Sequence, residues 1–191
     1  MRIIAGSARG RRLCTPARGD RRIRPTADRA REALFSIIGP EVVGAAVVDL
    51  YAGTGALGLE ALSRGAASAL FVDLHNDPLG LIGKNIELCG FSERSCLVRR
   101  DLTKGLFFLA QLAPAEGFDL VFIDPPYGKG LAMMALTELG RLELLAGKAL
   151  VVAEEDSSAV FAESYQGLRL FDQRRYGDTG FWLFRPEEDA L

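Results

Sequence analysis

Ala46-Val47-Val48-Asp49-Leu50-Tyr51-Ala52-Gly53-Thr54-Gly55-Ala56-Leu57-Gly58 is the stretch that decides how this chain folds. Residues 46–50 form a short run that reads as the first main strand of a buried parallel sheet. The glycines after it let the backbone pass close to a ligand. A helix over Leu59–Arg64 follows and Gly65 stops it. Strand, glycine turn and helix make a nucleotide-binding unit, because the helix N-terminus offers free N–H groups and positive potential. Gly53, Gly55 and Gly58 have the G-x-G-x-x-G spacing of a dinucleotide site, so an NAD-dependent oxidoreductase has to be weighed. Asp49 weighs against it. The acid closes the strand just before the glycines, where it would repel a pyrophosphate and meet a cationic amino-acid end. Asp49 and the turn Tyr51-Ala52-Gly53-Thr54-Gly55 are therefore candidate ligand-holding residues.

Downstream, further acids follow strands. The second strand, Ser68–Asp73, ends about 20 residues past the first glycine, the usual distance for an acid that holds ribose hydroxyls. A helix is expected from about Asp77 to Cys89, capped by Gly90. The third strand, Ser95–Arg100, leads to Asp101 and Leu102. That acid can accept from an adenine amino group while the Leu102 N–H donates to a ring nitrogen. Asp101 reads equally well as the N-cap of a helix over Thr103–Leu112.

The fourth strand, Phe118–Ile123, runs into Asp124-Pro125-Pro126-Tyr127. Two prolines stop the ladder. The Asp124 carboxylate and the Pro125 carbonyl then stand side by side, matching the two protons of an exocyclic amino group. Tyr127 offers a flat face for a planar base. The plainer reading is a strand-ending turn with a buried aromatic. Lys129 can reach phosphate or simply be solvated before the helix Leu131–Leu139. A fifth strand over Ala149–Glu154, a short helix over Ser157–Glu163 and a hairpin of Leu168–Arg175 with Gly180–Phe184 complete the chain.

The 191 residues suit one α/β domain with a small appendage, and 49% apolar content makes the chain globular. No apolar run reaches the 18 or so residues of a membrane span, and no apolar signal core follows the N-terminal arginines. The three cysteines have no metal-like spacing, and His75 is the only histidine, which leaves no zinc site or His-based triad. They suit a reducing cytoplasm. Net charge is −2, yet residues 1–31 carry ten arginines and two acids, or +8, leaving −10 for the rest. A basic arm on an acidic body suggests a polyanionic partner. Arg9, Arg11, Arg12, Arg24, Arg29 and Arg31 are the candidate phosphate contacts, since arginine forks onto phosphate. The arm reads as a hairpin of Arg2–Ala5 with Arg11–Thr15, followed by a helix with Thr26 at its N-cap and Gly39-Pro40 at its end. The strands begin near residue 46, so the fold is expected to stand without residues 1–22.

The four landmarks together describe an S-adenosylmethionine-dependent methyltransferase. The chain also resembles one family, the bacterial 16S ribosomal RNA guanine-N2 methyltransferases of the RsmD type. The resemblance runs from Met1 to about Pro186. It rests on M-R-I-I-A-G-S-A-R-G-R, R-P-T-A-D-R-A-R-E-A-L-F, D-L-Y-A-G-T-G-A-L-G-L-E-A-L-S-R-G-A, D-P-P-Y and Y-G-D-T-G. It implies a Rossmann-like class I fold: a seven-stranded, mostly parallel sheet with a C-terminal β-hairpin. Residues 1–40 would be a basic extension that closes over RNA and cofactor, and 41–191 the methyltransferase domain. By the same resemblance Asp49, Gly53 and Gly55 hold the methionine end of S-adenosylmethionine, Asp73 the ribose and Asp101 the adenine. Asp124, Pro125, Pro126 and Tyr127 hold the target guanine. The implied partner is 16S RNA or a small-subunit assembly intermediate, met by a cytoplasmic monomer. Methylation of adenine N6 or cytosine N4, and a non-catalytic RNA-binding module, are the alternatives. Family members often carry glutamate in place of Asp73 and phenylalanine in place of Tyr127.

Overall fold

The computed structural model describes residues 1–16 and 25–187. Arg24, one of the expected phosphate contacts, lies outside the described residues. The strands are β1 Ala46–Leu50, β2 Ser68–Asp73, β3 Ser95–Arg99, β4 Phe118–Ile123, β5 Leu145–Asp156, β6 Ser164–Tyr165, β7 Leu168–Tyr176 and β8 Thr179–Pro186. They form one sheet in the order β3-β2-β1-β4-β5-β8-β7-β6. β1 pairs in parallel with both β2 and β4, and β5 extends the parallel part. β8, β7 and β6 add antiparallel pairings. The sheet thus has eight strands where seven were expected. The eighth, β6, lies just past the expected helix over Ser157–Glu163; no such helix forms there, and Ser164–Tyr165 pairs with β7.

The helices are α1 Pro25–Ile37, α2 Gly39–Val42, α3 Ala56–Ser63, α4 Asn76–Cys89 and α5 Leu131–Arg141. The expected N-cap at Thr26 falls inside α1, which starts a residue earlier. A helix over Thr103–Leu112 is not formed either. Two short 3₁₀ turns, Leu102–Lys104 and Phe107–Gln111, stand there, separated at Gly105 with φ 95°. Among the described residues no helix is long and apolar enough to cross a membrane.

The parallel strands are apolar on both faces because both faces are covered. Val47, Leu120 and Phe122 point into one core with α1, α3 and α4; Val48, Val121 and Ile123 point into the other with α5. Ala132, Ala135, Leu136 and Leu139 give α5 its buried stripe at helical spacing. The chain leaves β1 for β2 on one side and meets β4 on the other, so a crevice opens at their carboxyl ends, the place where such sheets bind ligands.

The N-terminal segment corrects an expectation. Its hairpin is present, with Ile3 N–H donating to Arg11 O at 3.0 Å and Gly10 N–H to Ile3 O at 2.9 Å. It is not a separable tail. Ile3, Ala8 and Leu13 are buried in the same core as Leu34, Phe35 and the sheet, so residues on both sides of position 40 share one interior. Glu60 on α3 is fully buried, and the Ile4 and Ala5 N–H groups donate to its two oxygens at 2.8 and 3.0 Å. Ser63 accepts from Ala8 N–H at 3.0 Å and donates to Ala5 O at 2.5 Å. Gly6, at φ +82°, lies so near that a Cβ there would meet Ser63 O at 1.8 Å. Removing residues 1–22 would strip these partners from the body.

Candidate active site

The site is built at the strand ends flanking the β1–β4 crevice. Asp49, the fourth residue of β1, is 2% exposed and accepts the Gly58 N–H at 3.0 Å. Only glycine fits at 58, since a Cβ would fall 2.4 Å from the Phe71 ring and 3.2 Å from Asp49 Oδ2. Burial pushes the Asp49 carboxyl up to about 8; the Gly58 N–H pulls it back in part, and the charges of Asp73 and Glu154 raise it further. Tyr51 holds φ 62°, a backbone conformation unfavourable for a residue with a side chain, at the entry to the glycine turn. The turn is closed by Ala52 N–H donating to Val72 O at 3.0 Å and Gly55 N–H to Ala52 O at 2.7 Å. The Tyr51 hydroxyl is buried without a hydrogen-bond partner, and burial, then the Asp101 charge, push it up to about 12.

Asp73 does structural work beyond its expected place. Its Oδ2 accepts the Gly53 N–H at 3.0 Å and its Oδ1 the His75 N–H at 3.0 Å. The second-strand acid therefore fixes the glycine turn of the first, and each of its oxygens keeps a lone pair free to accept another hydrogen bond. Thr54 faces the N-terminal segment: its Oγ1 lies 3.4 Å from Met1 Sδ, and its carbonyl accepts from Asn85 Nδ2 at 3.0 Å. Asn85, fully buried, also clasps the Cys14 backbone through both polar atoms. Asp101 caps its own turn, with Oδ1 accepting from Thr103 Oγ1 at 2.6 Å and Thr103 N–H at 3.1 Å. Those bonds hold its carboxyl below the usual range. Leu102, beside it, is buried.

Asp124 follows β4, with its N–H donating to Leu50 O at 3.4 Å. It is partly exposed, Pro125 is buried, and Pro126, Tyr127 and Lys129 lie at the surface. Burial, then the charges of Glu154, Asp49 and Glu155, push the Asp124 carboxyl well above the usual range. Glu154 and Glu155, at the end of β5, were not singled out in the sequence. Tyr127 Oη donates to Glu154 Oε1 at 2.6 Å, and the Gly128 N–H donates to Glu155 Oε1 at 3.0 Å. Burial also raises Glu154, against which the Tyr127 hydrogen bond and the Arg31 charge act. An acidic residue at a strand's carboxyl end was the signal that marked Asp124, and the same signal marks Glu154. Among the described residues no group of acids, His and Cys is arranged to hold a metal ion.

The arginines divide. Arg9, Arg11, Arg12 and Arg29 are exposed, and Arg2, Arg9 and Arg29 line one groove together with Asp28 and Glu32. Arg31, expected among the phosphate contacts, is instead turned into the interior. It is 4% exposed, its Nη2 donates to Arg2 O at 2.6 Å and to Asp28 Oδ1 at 3.0 Å, and its Nε lies 3.9 Å from Glu60.

Comparison with known proteins agrees with this geometry. Residues 1–185 match the family model described as conserved hypothetical protein 95. The ribosomal RNA small subunit methyltransferase D of Escherichia coli K12 is 36% identical over 187 residues, 98% of this chain and 90% of that protein. Its namesake in Haemophilus influenzae is also 36% identical, over 97% of this chain and 93% of that protein. The solved structure of yhhF from Escherichia coli superposes with a TM-score of 0.81 at 32% identity, covering 99% of each chain. SMU.776, solved in complex with SAH, shares the fold at 18% identity, with a TM-score of 0.66 over 85% of this chain and 50% of that one. A family model spanning nearly the whole chain, and relatives this similar end to end, leave one assignment: the chain belongs to the conserved hypothetical protein 95 family, that of the ribosomal RNA small subunit methyltransferases D.

Proposed function

We propose that this protein transfers a methyl group from S-adenosylmethionine to the exocyclic N2 of a guanine in 16S ribosomal RNA. The observation that carries the reading is the placement of Asp124 and Pro125 at the end of β4, beside the Asp49 glycine turn in the same crevice. The cofactor fits the donor set. It brings a sulfonium and an ammonium to a crevice where burial and neighbouring acids hold the Asp49 carboxyl above its usual range, and where a cation would be favourable. Asp49 and the Gly53–Gly55 turn would hold its methionine end, Asp73 its ribose, and Asp101 with Leu102 its adenine. When bound, S-adenosylmethionine supplies the electrophilic methyl group.

The chain's own residues do the rest. A guanine amino lone pair is delocalised into the ring and is a poor nucleophile. Asp124 and the Pro125 carbonyl accept hydrogen bonds from its two N–H groups and favour a pyramidal geometry; the methyl passes to the nitrogen, S-adenosylhomocysteine leaves, and one proton goes to Asp124 or solvent. Tyr127 receives the face of a base taken out of its stack. The catalytic contribution is positioning with electrostatic support, each worth orders of magnitude in rate. Exposed Arg9, Arg11, Arg12, Arg29 and Lys129 supply phosphate contacts, and the N-terminal segment closes over cofactor and RNA. The names of the full-length relatives support small-subunit RNA over DNA as the substrate class.

Two experiments test the reading. Mass mapping of 16S RNA from a strain lacking the protein should show one guanine that has lost an N2 methyl group; an unchanged set of guanines overturns the assignment. In vitro, Asp124→Ala should bind cofactor nearly as wild type and transfer methyl on the order of 10²-fold more slowly or worse. A native rate in that variant refutes the amino-group clamp.

A further inference from the structure

The Tyr127 hydroxyl is held from the neighbouring sheet: it donates to Glu154 Oε1 at 2.6 Å, and Glu154 comes from the end of β5. The loop this bond restrains needs it. Tyr127 is 39% exposed, and Gly128 and Gly130, both at positive φ, follow it around exposed Lys129. Glu155 adds a second tie through the Gly128 N–H. A ring on a glycine-rich surface loop would otherwise sample several orientations, and stacking demands one.

We propose that Glu154 is a positioning residue for methyl transfer, which through its hydrogen bond to the Tyr127 hydroxyl fixes the tyrosine ring as the wall against which the target base rests beside Asp124. The inference rests on the reading of the site as a guanine methyltransferase. It also assigns the tyrosine hydroxyl a use that a phenylalanine at 127 could not serve.

The test uses the full-length protein, tritiated S-adenosylmethionine and small-subunit particles from a strain lacking it. Tyr127→Phe keeps the ring and loses the bond; Glu154→Ala loses the bond from the other side; Glu154→Gln keeps an acceptor. Tyr127→Phe and Glu154→Ala should each lower kcat about tenfold or more, with the particle KM, set by phosphate contacts, within about twofold of wild type. Their combination should be no slower than the slower single variant, because one bond is lost once. Glu154→Gln should recover most of the rate. Cofactor affinity and melting temperature should stay near wild type in Tyr127→Phe, which a general packing defect would not allow. Losses that multiply in the double variant, or a native rate in Tyr127→Phe beside a slow Glu154→Ala, overturn the inference. A wild-type protein that methylates no guanine in these particles refutes the proposed function instead, and the inference falls with it.

Discussion

Replacing Glu60 by alanine gives the sharpest test of whether the basic N-terminal segment is part of the fold. In the wild type the Ile4 and Ala5 N–H groups and Arg64 Nε, at 2.7 Å, all donate to this fully buried carboxylate, and Arg31 stands 3.9 Å away. Alanine leaves two backbone donors unpaired and removes the counter-charge of a buried guanidinium. Breaking a buried ion pair from one side costs about 3–5 kcal/mol. Arg31 keeps Asp28 and the Arg2 carbonyl, which holds the figure within that range. For a domain of this size each kcal/mol moves the melting temperature by roughly 2–4 °C, so a fall of about 6–20 °C is expected by calorimetry. Glu60→Gln, which keeps one acceptor, should fall less. A solvated tail would predict a shift of no more than about 0.5 kcal/mol. Melting of Glu60→Ala within about 2 °C of wild type would refute the docking of residues 3–13 onto α3.

Cofactor affinity should depend on pH. Burial holds Asp49 near 8, and the ammonium of a bound methionine end would lower it, so binding releases a proton. Affinity should therefore rise as pH increases towards about 8 and level off above it. Calorimetry in buffers of different ionisation enthalpy checks this, and equal heats in all of them at pH 7 would contradict it. Asp73→Ala should weaken cofactor binding at least tenfold, because hydrogen bonds to a charged group are worth about 1.5–3 kcal/mol and the Gly53 turn also loses its anchor; an unchanged dissociation constant would place the ribose contact elsewhere. Replacing Arg9, Arg11 and Arg12 together by alanine should lower the log–log salt slope of RNA affinity by about 2–3 units. A slope equal to that of wild type would remove these three exposed side chains from the interface.

Much of the fold was legible because its signals are local. Buried parallel strands must be apolar on both faces, which is why β1, β2 and β4 could be placed almost to the residue. Glycine-rich turns need their glycines, and Gly58 shows the reason in the Phe71 ring that bars any Cβ there. Where local pattern carried no such constraint the reading failed. The apolar stretch after Asp101 suits a helix, but Gly105 at φ 95° breaks it into two short turns. Ser157–Glu163 suited a helix too, yet the Asp156 carboxylate ties Ser158 into a turn and the stretch runs on without a helix.

The site divides along the same line. Asp49, Asp73, Asp124 and Tyr127 could be picked out by their position at strand ends or just after them. The sequence on its own determined which groups are on offer there: a glycine turn, acidic hydrogen-bond acceptors and an aromatic ring. Only the tertiary structure decided which partners those groups have. Glu154 lies 27 residues from the Tyr127 it holds, and Glu60 lies 55 and 56 residues from the backbone groups it pairs with. Arg31 and Arg29, two positions apart on α1, point one into the interior and one to solvent. No spacing rule reaches across such distances, because the pairing follows from which strands become neighbours in the sheet and how closely the N-terminal hairpin approaches α3.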